Sequence, residues 1–239
     1  MNRSTLPRAT RLVVGMGFAL GLCAQAMAQP QATPEPTGRE AAPVDMTGYW
    51  VSVITEDWRW RMMTPAKGDY ASLPLNDEGR RVADTWDPDN DADNCKPYGA
   101  AGLMRMPLRI HVHWEDDDTL RIDTDHGMQS RMLYFNDSDS MGGEPTLQGD
   151  SVAEWDGASL KVVTSHLSAG YLRRNGVPYS ENTALTEYFE RHAAYDEEWI
   201  TVTTIVNDPQ YLRQEFITSS SFKRLQDDSS WNPVACESR

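Results

Sequence analysis

Five histidines, 36 acidic residues and three cysteines are the groups from which this chain could assemble a metal-binding or acid–base site. His111 and His113 alternate around Val112 and so place two imidazoles on one face of a strand, the His-x-His arrangement of some strand-borne zinc sites. A third ligand would come from His126, His166, His192 or a carboxylate. Arg109 shares that face, and a nearby cation opposes a metal. The expected role of the face is therefore polar pairing with Arg121 and Asp123 across the Glu115–Asp118 turn, and no metal is expected. Asp87-x-Asp89-x-Asp91 opens like a calcium loop and then departs from it. Ala92 stands where the turn needs glycine, and Tyr98 where a bidentate glutamate belongs.

Glu187 shares a strand face with Leu185 and Phe189, so it is expected to point inward. Beside His166 or His192 it could carry out acid–base chemistry; an ion pair with an arginine is the preferred alternative. The catalytic candidates are Glu187, His166 and His113. The chain has no Gly-x-Ser-x-Gly elbow, no His-Glu-x-x-His and no phosphate-cradling glycine loop. Trp50, Trp60 and Met62, with the hydroxyls of Thr203 and Thr218, are the candidate lining of a cavity for a small amphiphilic molecule. If the interior is packed, the same residues are core and ordinary strand formers.

The elements that must position these groups are mostly strands. Alternation marks Tyr49–Ile54, Trp58–Met63, Leu108–Trp114, Leu120–Thr124, Gln129–Phe135, Ser151–Trp155, Leu160–His166, Ala184–His192, Trp199–Val206 and Glu215–Leu225. Asp156-Gly157 turns the central hairpin. One helix is expected over Asn76–Trp86, capped by Asn76 and stopped by Pro88. Ser168–Asn182 is too long for a hairpin loop and reads as a rim or lid. The fold class is all-β, an antiparallel up-and-down, lipocalin-like barrel with one short helix; the alternative is a two-sheet sandwich.

A set of spaced motifs accompanies this pattern: Cys95-x-Pro97-x-Gly99, Pro107, Gly143-Glu144-Pro145-Thr146, Gly149-x-Ser151, Trp155-Asp156-Gly157-x-x-Leu160, Glu187 and Asp208-Pro209-x-Tyr211. On these the chain from Cys95 to Leu225 resembles a family of secreted, uncharacterised bacterial β-rich proteins. Gly48-Tyr49-Trp50 is similar to the Gly-x-Trp signature on the first strand of lipocalin-like barrels. The resemblance implies a β-rich fold and export, and no activity.

Arg3, Arg8 and Arg11, then apolar Leu12–Leu22, then Ala26-Met27-Ala28 read as an export signal cut after Ala28; Cys23 offers a lipoprotein alternative. Residues 29–45 are Pro-rich and expected to be a disordered tether, 46–226 the barrel domain and 227–239 a C-terminal tail. Losing the three signal arginines takes the formal charge from −14 to −17, which excludes nucleic acid as a main partner. No membrane span and no cofactor are expected. In an oxidising compartment the two remaining cysteines are expected to pair as Cys95–Cys236 and tie the tail across the barrel entry. The alternatives are reduced thiols or metal ligation with His111 or His113. The expected protein is periplasmic or secreted and binds a small amphiphilic molecule. The alternatives are an acid–base enzyme of the same fold and a structural or interaction protein; a lumen filled by side chains would favour the last.

Overall fold

A computed structural model describes residues 35–91, 93–136 and 143–236. The expected export signal, the start of the tether and residues 237–239 lie outside the described residues. Nine strands close into a barrel. Around the ring they are β1 (Gly48–Ser52), β11 (Phe216–Arg224), β10 (Glu197–Asn207), β9 (Ala184–Ala194), β6 (Ser159–Ser165), β5 (Asp150–Asp156), β4 (Ser130–Tyr134), β3 (Thr119–Thr124) and β2 (Arg109–Trp114), which pairs back with β1. A separate hairpin joins β7 (Gly170–Arg173) to β8 (Val177–Tyr179).

All neighbours in the ring are antiparallel except β4 and β5, which run parallel through Leu133↔Ser151 and Tyr134↔Val152. The reason is topological. An odd number of strands cannot alternate direction all the way round a closed ring, so at least one contact must be parallel. The all-antiparallel pattern expected from the sequence needs that one correction.

Period-two alternation divides inside from outside. Trp50, Ile110, Ile122, Leu160, Phe189, Val202 and Phe222 are buried in one continuous cluster. Each such side chain contributes about 1.5–3 kcal/mol by leaving water. Between them on the same strands, Arg109, His111, Arg121, Lys161 and Thr201 are partly exposed, and on β5 Glu154 is exposed beside buried Ala153. An apolar inside and polar outside is the reverse of a barrel that faces lipid. No helix among the described residues is long and apolar enough to cross a membrane.

One end of the barrel is capped. The strand directions bring residues 53–108, between β1 and β2, and residues 166–183, between β6 and β9, out of and back into the same end. The first segment holds α1 (Trp58–Arg61), α2 (Asp77–Ala83), a 3-10 turn at Lys96–Tyr98 and α3 (Ala100–Leu103). Asn76 caps α2 as expected, its side chain accepting from the Gly79 N–H at 2.8 Å. The helix ends sooner than Trp86, at Ala83. Leu75, Ala83, Ala101, Leu167, Tyr179 and Val206 pack in a second cluster between cap and barrel.

Four expectations are corrected. Trp58–Met63 is not a strand: Asp57 takes a left-handed conformation (φ 55°) that breaks the extension of β1, and the short helix α1 follows. Ser168–Asn182 is no open loop but carries β7 and β8. Ordered chain begins before Met46. Gly38 donates to Asp118 Oδ1 at 2.7 Å, and its carbonyl accepts from Trp155 Nε1 at 2.8 Å, so this part of the tether is held on the barrel. The tail, finally, does not cross a barrel entry. It leaves β11 at the uncapped end and returns along the outside, past Tyr49 and His111, to the turn after β3. There Val234 exchanges backbone hydrogen bonds with Asp125 and Gly127, and Cys236 is bonded to Cys95, with Cα atoms 5.0 Å apart.

Candidate functional site

The capped end carries a local cluster of arginines in an otherwise acidic chain. Arg59 and Arg61 lie on α1, Arg105 follows α3, Arg173 ends β7 and Arg174 starts the turn after it. Arg61 is used structurally: its guanidinium donates to the carbonyls of Arg105 at 3.0 Å and Val53 at 2.8 Å, fixing α1 to the cap. Arg105 and Arg173 instead reach a cleft of about 240 Å³ lined also by Asp57, Trp60, Ser72 and Phe216–Ser219. The turn at Asp57 brings Trp60 in, the β7–β8 hairpin brings Arg173, and the start of β11 supplies Phe216 and Thr218.

Neither guanidinium is fully neutralised. Among the described residues Arg105 has only two long carboxylate contacts, both to Asp57 Oδ2 at 3.5 Å. Arg173 donates to the backbone carbonyls of Asp69 at 3.3 Å and Ala71 at 3.1 Å, and makes no ion pair with a carboxylate among the described residues. Burial pushes the Arg173 guanidinium down to about 10, and the Arg105 charge adds to this. Burial likewise lowers Arg105, against the pull of Asp57. Both shifts mean that the charged forms are under-solvated where they sit, and an anion in the cleft would relieve this. Aromatic faces complete the wall. Arg173 lies 5.2 Å from the Trp60 ring centroid and Arg105 5.7 Å from that of Phe216. The indole N–H of Trp60 is buried and has no hydrogen-bond partner among the described residues.

The catalytic candidates fall in three different places. Glu187 is fully buried inside the barrel, where its Oε2 accepts from Arg131 Nη2 at 2.6 Å. Arg131 Nη2 also donates to Thr164 Oγ1 at 3.3 Å, and Thr164 shares a hydrogen bond of 2.8 Å with Ser151. This polar band occupies the lumen beneath the cap. His166 is half exposed just past β6, its Nδ1 3.4 Å from Asp150 Oδ2. His113 is on the outer face of β2, its ring nitrogens 3.9 Å from both Glu115 Oε2 and Asp123 Oδ2.

Of the candidate ligand contacts, the structure brings Trp60 and Thr218 together in the arginine cleft. Trp50 is fully buried in the barrel, its indole N–H donating to the Met46 carbonyl at 3.1 Å. Met62 is exposed at the end of α1, and Thr203 faces outward on β10 opposite Ser219. The lumen is filled by Trp50, Phe189, Phe222 and the Arg131–Glu187 pair, so it is the clefts outside it that offer room. The sequence reading missed Arg105 and Arg173. A signal for Arg173 exists: Asn175-Gly176, with Gly176 at φ 77°, is a hairpin turn that puts Arg173 beside its tip. Arg105 has no local signal, because only the packing of the cap against β11 gives it a role.

The paired histidines sit where the strand pattern puts them. His111 is opposite Asp123 and His113 opposite Arg121. The His111 ring stacks on Tyr49 at 4.1 Å and meets the edge of Trp231 at 6.3 Å. Burial lowers the His111 pKa below its ordinary value, and the neighbouring His113 adds to this.

No family model, curated protein or solved structure matches the chain.

Proposed function

We propose that this is an exported barrel protein that binds a small amphiphilic organic anion. The carboxylate, sulfate or phosphate end is held by Arg105 and Arg173, and the apolar part lies against Trp60 and Phe216. The observation that carries the reading is the convergence of two largely buried guanidiniums on one partly apolar cleft, Arg173 with no ion pair among the described residues and Arg105 with only the 3.5 Å contact to Asp57 there. In a chain this acidic, such a cluster is a local exception that surface solubility does not explain. At about 240 Å³ the cleft is just below the ~300–1,000 Å³ usual for ligand sites, which limits the occupant to a small molecule. Export rests on the signal-like N-terminus and on the resemblance to secreted proteins; the Cys95–Cys236 disulfide fits an oxidising compartment.

The test is calorimetric titration with phenylacetate and octanoate against the matching alcohols. The acids are expected to bind one per chain, and the alcohols at least about tenfold more weakly, because charge-assisted hydrogen bonds are worth about 1.5–3 kcal/mol. Arg105→Gln is expected to erase the difference between acid and alcohol. Equal binding of acid and alcohol by the parent chain would sink the proposal. The filled lumen favours a second reading, a structural or interaction protein, and absence of saturable binding by either probe would select it.

A further inference from the structure

The outer face of β1, β2 and β3, under the C-terminal tail, carries a cluster that the arginine cleft does not use. Tyr49, His111 and Asp123 are successive partners across these strands, and His113 lies two residues along from His111 on the same face. One ligand atom from each of His111, His113 and Asp123 lies within 4.8 Å of the other two, the one group of three or more such residues found among those described. The sequence supplies the two histidines; the register supplies the carboxylate.

The two oxygens of Asp123 are engaged differently. Oδ1 accepts from Arg121 Nε at 2.9 Å and from the Ser130 hydroxyl. Oδ2 faces His113 Nδ1 at 3.9 Å, too far for a hydrogen bond. His113 Nδ1 is shielded from solvent and has no hydrogen-bond partner among the described residues. An acceptor oxygen and an unpaired ring nitrogen thus face each other across a gap that a metal ion would fill. Arg109, the cation expected to oppose a metal, is paired with Asp125 Oδ2 at 2.9 Å, and Arg121 is held on the far oxygen of Asp123 and by Glu115 Oε2 at 3.2 Å. There it orients the carboxylate, at some cost in affinity. Stacking on Tyr49 and contact with Trp231 hold the His111 ring in place.

We propose that His111, His113 and Asp123 form a binding site for a divalent transition-metal ion of the zinc type. Two imidazoles and one carboxylate suit zinc or its neighbours rather than calcium or magnesium, which take oxygen donors. Ligand atoms around a tetrahedral zinc stand about 3.3 Å apart, so from 4.8 Å the three side chains close by about 1.5 Å at most. The site leaves its fourth position to solvent or a small ligand. A cleft of about 280 Å³ adjoins it, lined by His111, Asp123, Gln129, Ser130 and Trp231.

The test is titration of the full, untagged, disulfide-bonded chain with Co²⁺, read by its visible d–d absorption, then displacement by Zn²⁺. One Co²⁺ per chain is expected, with no thiolate charge-transfer band. His113→Ala and Asp123→Asn should each weaken binding by more than about tenfold, since even outer partners of metal ligands are worth 10–100-fold. His192→Ala, on β9, should leave it unchanged. Circular dichroism checks that each variant is folded, and Asp123→Asn alone decides the matter if His113→Ala is not. Absence of saturable Co²⁺ binding, or binding indifferent to both substitutions, overturns the proposal.

Discussion

Replacing Glu187 with glutamine is expected to destabilise the protein by about 3–5 kcal/mol, because it leaves the Arg131 charge buried without its counter-charge. Both side chains are fully shielded, and the bond between them is 2.6 Å long. The loss is a large share of the ~5–15 kcal/mol that holds a domain together. The companion result separates the charge from the space it fills. Arg131→Met with Glu187→Leu removes both charges and keeps most of the volume, and is expected to recover most of the loss. Urea unfolding of the parent, Arg131→Met, Glu187→Leu and the double variant gives the coupling directly. A loss under about 1 kcal/mol for Glu187→Gln would show that the interior is wetter than a packed barrel. That outcome would revive Glu187 as a candidate acid or base.

This pair also shows how much of the molecule was legible. Glu187 reads as inward because Leu185 and Phe189 flank it at period two, and the strand pattern needs nothing else. Its partner does not read, because β4 and β9 are not neighbours in the ring and only closure brings Arg131 opposite. The same division runs through the fold. β2, β3, β6, β9, β10 and β11 have one apolar and one polar face, so alternation finds them. β8 is Val177-Pro178-Tyr179, buried at every position, and has no alternation to find. Trp58–Arg61 shows the opposite failure, with alternating Trp and Arg but too few residues to tell a strand from a turn of helix. The sites divide likewise. His111 and His113 are visible as a spacing, and Asp123 as a partner across the Glu115–Asp118 turn, whereas Arg105 meets Arg173 only through the cap.

Removing the Cys95–Cys236 bond, by Cys95→Ser with Cys236→Ser or by reduction, is expected to cost about 4–5 kcal/mol. The bond joins residues 141 apart in sequence, and in the chain-entropy model a loop of that length constrains the unfolded chain by about 5 kcal/mol. The native side of the balance points the same way. Past β11 the tail's main-chain anchors on the barrel are Leu225 on Tyr49 and Val234 on Asp125 and Gly127, and the bond lies just beyond the second of them. It also ties the tail to the 3-10 turn that places Tyr98 under Gly127, where a Cβ would stand 2.2 Å from the ring. For a domain of this size the melting temperature should fall by about 8–20 °C, at 2–4 °C per kcal/mol. Calorimetry of the parent with and without reductant measures it. Limited proteolysis gives the local counterpart: the tail around Trp231 should become cleavable in the Ser variant before the barrel does. A melting temperature unchanged within about 2 °C would mean that the packing of Trp231 on Tyr49 and His111, with the backbone bonds of Val234, holds the tail unaided.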